Sequence, residues 1–330
     1  MVWAGSCGVS FGTITLLGGD VFGMIYMTRL LSFFLVFMIF MAGSPRVEAR
    51  ERLGHGWLLT NDILGDSHDR WQAGSFASSR VWGPSWEGHL PGGFGEIVEL
   101  RFGGQIVAPE SLARPARGDR PFAGVLSLGL HTHFSRGATQ FALGGDVVVT
   151  GPQTGLDDFQ GLLHDVLGGS EMSNRARRQQ VSNDVTPTLV GEMGHRVALG
   201  GMRMRPFVEG RWGLETLLRA GVDLTIGSFG SRSLMVRDVV SGHLYEAVPD
   251  RTPGASVVLG ADTAHVFDSE LLRAGRGFDL TEARNRVRAG VNWQGERGAS
   301  VFYGLTWLGE EFEAQREGQV VGSVRLRLNF

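Results

Sequence analysis

Three short groups of residues carry the chemistry this sequence can offer. Gln160 and His164 stand four apart in the run TGLDDFQGLLHDV (154–166), so on a helix they share one face. A neutral imidazole beside an amide is a candidate general base held in orientation, able to take a proton from water. The plainer alternative is a surface His on a loop helix. Asn61 and Asp62 put an amide next to a carboxylate, hard oxygen donors of the kind Ca²⁺ takes. Turn formation is the alternative there, since both residue types favour turns. Neighbours on a regular strand point to opposite faces, so the two can serve one site only at a strand end or a bulge. Arg120, in the segment DRPFAG (119–124), has the planar fork that grips a phosphate or an oxyanion, or else a salt bridge with Asp119 or another carboxylate. Glu171, seven residues after His164, is either a further hard ligand or a solvated loop carboxylate.

Other chemistries are excluded or weak. Residues 50–330 hold no G-x-S-x-G for a serine hydrolase (the one match, Gly8-Val9-Ser10-Phe11-Gly12, lies ahead of the strands), and neither H-E-x-x-H nor C-x-x-C occurs. A single cysteine, Cys7, rules out a disulfide framework and a cysteine-based zinc cluster. His131 and His133 share a strand face by ordinary alternation, which makes them a weak metal site. All 31 basic residues are Arg, and the net charge of −3 gives no basic excess for nucleic acid.

The elements that must position these groups are strands. In Val287–Gln294 one face reads Val, Ala, Val, Trp and the other Arg, Gly, Asn, Gln. The same alternation runs through 222–226, 303–307 and 324–330. A soluble sandwich would turn the apolar face to a core and the polar face to water. An outer-membrane barrel would turn the apolar face to lipid and the polar face to its lumen. Mean hydropathy near zero fits either. The girdle-like aromatics Trp293, Tyr303 and Trp307, and a last strand ending on Phe330, favour the barrel. At roughly 9–11 residues per crossing the chain holds about 10–14 strands. One segment departs from this pattern: Thr154 to Val166 predicts a short loop helix, with Thr154 and Asp157 as a capping-box-like start and Gly168-Gly169 as the stop.

Ahead of the strands, Leu30–Ala42 is apolar except for Ser32 and too short for the roughly 20 residues of a membrane-spanning helix. With Arg29 before it and Val47-Glu48-Ala49 after it, it predicts a secretory signal cleaved after Ala49. Met27 is the expected start, and residues 1–26 an upstream extension. The exported part, 50–330, reads as one domain.

Taken in order, Asn61-Asp62, Asp69-Arg70-Trp71 with Gly74, the 119–124 segment, Gln160-x-x-x-His164 and an outer-membrane C-terminus resemble the LpxR family of lipid A 3′-O-deacylases, over roughly 57–330. The resemblance implies an all-β, twelve-stranded transmembrane antiparallel barrel in the bacterial outer membrane. It implies Ca²⁺-dependent removal of the 3′-linked acyloxyacyl group of lipid A. It gives His164 as general base with Gln160 as its partner, Asn61 and Arg120 as further catalytic residues, and Asp62 with Glu171 as metal ligands. The chain also departs from the family pattern. Asp119 stands where a family Lys would be, and Trp71-Gln72-Ala73 replaces a Tyr-Thr pair before Gly74. Glu171 matches the acidic ligand only after a small shift, and the family's hydroxyl-bearing residue has no clear counterpart.

The implied mechanism is a water nucleophile activated by His164, with Ca²⁺ polarising the ester carbonyl. A hydrogen bond to the oxyanion from Asn61 or Arg120 would contribute roughly 3–4 kcal/mol. The expected partner is lipopolysaccharide, with no nucleic acid, and the protein is expected to be a monomer. Two rivals stand beside this reading: a passive barrel, porin or structural, and a hydrolase acting on phospholipids.

Overall fold

The computed structural model describes residues 50–167, 171–273 and 277–328. The expected signal segment, Cys7, Gly168-Gly169 and Phe330 lie outside them. Fifteen strands follow in chain order: β1 (Glu51–Asn61), β2 (Trp71–Gly83), β3 (Ile97–Ala108), β4 (Ala123–Arg136), β5 (Thr139–Thr150), β6 (Asp184–His195), β7 (Val197–Leu199), β8 (Met202–Trp212), β9 (Glu215–Ile226), β10 (Leu234–Arg237), β11 (Leu244–Val248), β12 (Gly254–Ser269), β13 (Arg284–Gln294), β14 (Ser300–Leu308) and β15 (Gln319–Arg327). Antiparallel neighbours run from β6 back to β1, on through β15, β14, β13, β12 and β9 to β8, and β8 pairs with β6. That last pairing closes a twelve-stranded barrel, with the three-residue β7 only extending one turn and β10–β11 standing apart.

The barrel is inside-out relative to a soluble sandwich. On β13, Val287 and Trp293 are each 54% exposed, while Arg286 and Arg288 on the alternate face are 5% and 4% exposed. A sandwich would reverse that order. Burying arginine and exposing valine makes sense only where the outer solvent is lipid. The alternation in the sequence thus resolves to lipid-facing and lumen-facing rows.

The lumen is filled rather than open. The chain between β9 and β12 turns inward as the β10–β11 hairpin. β11 lies so close to β1 that a Cβ on Gly56 would sit 2.1 Å from the Glu246 carbonyl oxygen, and one on Gly54 2.6 Å from that of Ala247. Only glycine leaves room for this approach. Tyr245 meets the Ser79 hydroxyl at 2.6 Å, and Arg325 donates to Glu246 at 2.7 Å. Apolar side chains, among them Leu234, Val236, Ala247 and Phe302, form a small core around the hairpin.

Deeper in, the arginines of the polar face are paired. Asp262 takes Arg219 at 2.5 Å, Arg286 at 2.9 Å and Arg288. Asp223 takes Arg288 at 2.5 Å and Arg237 of the hairpin at 2.7 Å. Arg237 also reaches Glu192 at 2.7 Å. Charges this deep persist because each has a partner.

The long connections at the end opposite the entry of the hairpin carry the helices. A single 3₁₀ turn (Pro152–Thr154) leads into α1 (Leu156–Leu167), and α2 (Asn174–Gln179) follows. The expected helix start is corrected by two residues. Gly155 adopts φ 66°, which ends the 3₁₀ turn and delays α1 to Leu156. Thr154 then meets the Leu156 amide at 3.4 Å, rather than forming a capping box with Asp157.

Candidate functional site

Asp62 is built into a tight turn at the end of β1. Asn61 is the last residue of that strand, so the two adjacent side chains escape strict alternation, as a shared site requires. The Asn61 amide donates to the Ala73 carbonyl at 2.7 Å, and its oxygen accepts from the Ile63 amide at 2.9 Å. Asn61 therefore holds the turn together. The Asp62 carbonyl accepts from Gly65 and Ser67. Its carboxylate is buried: Oδ1 accepts from the Ile63 amide at 2.7 Å, and Oδ2 has no partner. Burial, and then the nearby charge of Asp69, pushes the Asp62 carboxyl up to about 7.

The rest of this loop is held under tension and anchored. Ser67 and Trp71 both take positive φ, 62° and 49°, which is costly for a residue as bulky as tryptophan. Trp71 is buried, and Arg70 stacks over its ring at 4.5 Å. Arg70 also pairs with Asp66 at 3.3 Å and with Glu317. Gln319 of β15 clamps the strand entry, donating to the Arg70 carbonyl at 2.6 Å and accepting from the Gln72 amide at 3.0 Å. These contacts anchor the chain immediately after Asp69.

Helix α1 brings His164 to that aspartate. The His164 Nε2–Asp69 Oδ2 distance is 3.0 Å. The Gln160 amide lies 3.5 Å from both Asp69 Oδ1 and His164 Nε2. Asp157, Gln160 and His164 occupy one side of the helix, facing the barrel rim. The apolar stripe points the other way: Phe159 and Leu162 are 50% and 62% exposed. The helix is seated by Gly124, at the head of β4, where a Cβ would lie 2.4 Å from the Thr154 hydroxyl and 2.9 Å from Leu156 Cβ. This explains the glycine of the 119–124 segment.

The candidates separate. Asp62, Gln160 and His164 converge on Asp69. Arg120 is buried beside them in sequence order but spends its guanidinium on Glu311, which Arg284 also approaches at 3.6 Å. Glu171 is exposed, and among the described residues it has no ion pair or hydrogen bond. The pair His131 and His133 goes to Asp146 and Glu99 inside the barrel wall, at 3.1 and 2.6 Å. Asp69 is the residue that reasoning from spacing missed as a site member. The clustering of Asp62, Asp66 and Asp69 in one loop was the available signal.

For a hard cation the fit is specific. Asp62 offers a buried, unpartnered carboxylate oxygen, and a second carboxylate close by raises its proton affinity. A divalent cation held by Asp62 would relieve both penalties, and hard cations of this kind take oxygen ligands. Among the described residues no group of three or more His, Cys, Asp or Glu side chains forms a ready metal cage.

A closed twelve-stranded barrel with a lipid-facing apolar wall, an inward-folded hairpin and a polar His–Asp–Gln cluster on one rim defines an outer-membrane β-barrel protein. The chain belongs to the LpxR family: the family model for outer membrane protein LpxR matches residues 30–330. Among solved structures, LpxR from Salmonella typhimurium superposes with a TM-score of 0.67 at 17% identity, covering 83% of this chain and 98% of that one. The β domain of the Bordetella autotransporter BrkA follows at a TM-score of 0.39 and 10% identity, covering 85% and 100%. No curated protein sequence is matched.

Proposed function

We propose that this outer-membrane protein is a lipid A deacylase that hydrolyses the 3′-linked acyloxyacyl ester, with His164 as general base and Ca²⁺ as cofactor. The observation that carries the reading is the contact of His164 with Asp69 beside the buried, unpartnered oxygen of Asp62. The apolar surface around it suits a lipid: Ile63, Phe159 and Leu162 are exposed at the same rim.

Each residue has a task. With Nε2 bonded to the Asp69 carboxylate, His164 keeps Nδ1 as the basic atom that takes a proton from water. Asp69 holds the ring and stabilises the imidazolium that results. Gln160 braces the Asp69 carboxylate through its amide N–H. Asp62 and Asp69 would hold the cation, with Glu171 a further ligand; when bound, Ca²⁺ supplies Lewis-acid polarisation of the ester carbonyl. Asn61 keeps the Asp62 turn in shape. Arg120 acts on the rim from its pair with Glu311 rather than as a free oxyanion donor.

A passive pore is disfavoured by the β10–β11 hairpin, which occupies the lumen. The test is a mass spectrum of lipid A from cells that express the protein, with Ca²⁺ and with chelator. Loss of one acyloxyacyl unit, only with Ca²⁺, supports the proposal. Unchanged lipid A with folded protein in the outer membrane refutes it, and released phospholipid fatty acid would point to the phospholipid alternative.

A further inference from the structure

A second feature of the same rim is a cleft of about 400 Å³ between the β3–β4 connection (109–122), α2 and the segment Gly277-Phe278. Four arginines line it: Arg120, which is paired with Glu311, and Arg117, Arg175 and Arg178. Arg117, Arg175 and Arg178 are exposed, and among the described residues none of these three has a carboxylate partner. In this they differ from the arginines of the lumen, where Arg219, Arg237 and Arg288 are each held by a carboxylate. The one carboxylate among the described lining residues, Asp119, is engaged elsewhere. It accepts from the Glu110 amide at 2.6 Å and from the Arg120 amide at 2.8 Å.

We propose that this cleft binds a phosphate-bearing sugar headgroup, and, resting on the deacylase reading, that it is the subsite that orients the glycolipid for cleavage at His164. Three unpaired guanidinium groups converging on one cavity match a multiply charged anion, and arginine grips phosphate oxygens in a bidentate way. Pro115 and Pro121 stiffen its wall, so less entropy is lost on binding. Phe278, set edge-on against Phe312 at 5.9 Å, gives an apolar surface for a sugar face. The cleft is tied to the candidate site: Gln180, after α2, donates to Asp157 of α1 at 3.4 Å. Asp157 and His164 are seven residues apart on one helix, about 10 Å along its axis. A bound headgroup would thus lie within one glycolipid's reach of the general base.

The test measures binding, not turnover. Full-length protein with His164→Ala is titrated in detergent with lipid A carrying its phosphates and with the same lipid after dephosphorylation. The experiment is repeated with Arg175→Gln/Arg178→Gln added, and with pyrophosphate as competitor. The phosphorylated lipid should bind the parent at least about tenfold more tightly, as expected for charge-assisted hydrogen bonds. The double variant should bring the two lipids within about twofold, and Arg117→Gln should fall between. Pyrophosphate should displace lipid from the parent and not from the double variant. An unchanged preference in the double variant overturns the proposal. So does pyrophosphate binding with no preference between the lipids, which marks a general anion site. The three arginines are on the surface, so folding, checked by heat-modifiable gel migration, should be unaffected. A preference for phosphate in the His164→Ala protein, with no deacylation by the protein that retains His164, would leave the cleft standing and refute the deacylase reading instead.

Discussion

Replacing Asp69 by Asn tests the cluster with the least change of shape. The His164–Asp69 contact of 3.0 Å is worth about 1.4 kcal/mol if screened as in water, and about 5.5 kcal/mol at an effective dielectric of 20. His164 is mostly covered and Asp69 is one-third exposed, so the pair lies between those limits, near 3 kcal/mol. That energy appears when the imidazole becomes imidazolium, that is, in the transition state. Asp69→Asn should therefore lower kcat by about 10²-fold and leave KM for micellar lipid A nearly unchanged. The neutral amide also weakens control of the tautomer that leaves Nδ1 unprotonated. The assay is single-turnover release of the acyloxyacyl acid, followed by mass spectrometry at saturating Ca²⁺. A variant within threefold of the parent would refute the role of Asp69 and, with it, the geometry assigned to His164.

Other consequences concern the turn, the lumen and the plug. The Asp62 carboxyl is raised to about 7 from an ordinary 3.8, so in the metal-free protein its ionisation opposes folding, an effect that grows as pH rises from about 4 to about 7. Ca²⁺ binding must expel that proton, so affinity measured by calorimetry should fall about tenfold per unit below pH 7, with proton release; a flat profile from pH 5 to 7 would exclude Asp62 as ligand. Asp262→Ala removes the shared partner of Arg219, Arg286 and Arg288 and should cost about 3–5 kcal/mol, seen as a lower urea midpoint in detergent. Gly56→Val would drive a side chain into the Glu246 carbonyl and should displace the hairpin, giving steady ion conductance in planar bilayers where the parent gives none.

Much of the barrel was legible because lipid imposes a strict period. The rows Val287-Val291-Trp293 and Arg286-Arg288-Asn292 are each chemically uniform, so the strand and its two faces follow from alternation alone. Which row faced outward needed the membrane argument, and the burial of Arg288 answers it. The hairpin was not legible. Its strands are four and five residues long, and they hold buried Arg237, Tyr245 and Glu246, which resemble an ordinary polar loop until their barrel partners are known. In the site, Gln160 and His164 were visible because helical spacing joins them. The Asp69 contact spans most of a hundred residues of chain, and no local rule connects its two ends. The helix itself inverts the usual reading: its apolar stripe, with Phe159 and Leu162, meets the surroundings and its polar face meets the protein. At a lipid-covered rim that is the favourable orientation.

The most direct test of the central claim is lipid A analysed after expression of the parent and of His164→Ala, each shown to be a folded, heat-modifiable barrel in the outer membrane. The proposed role of His164 requires that the parent, with Ca²⁺, removes one acyloxyacyl unit and that His164→Ala removes none. Equal loss of that unit in both would contradict it.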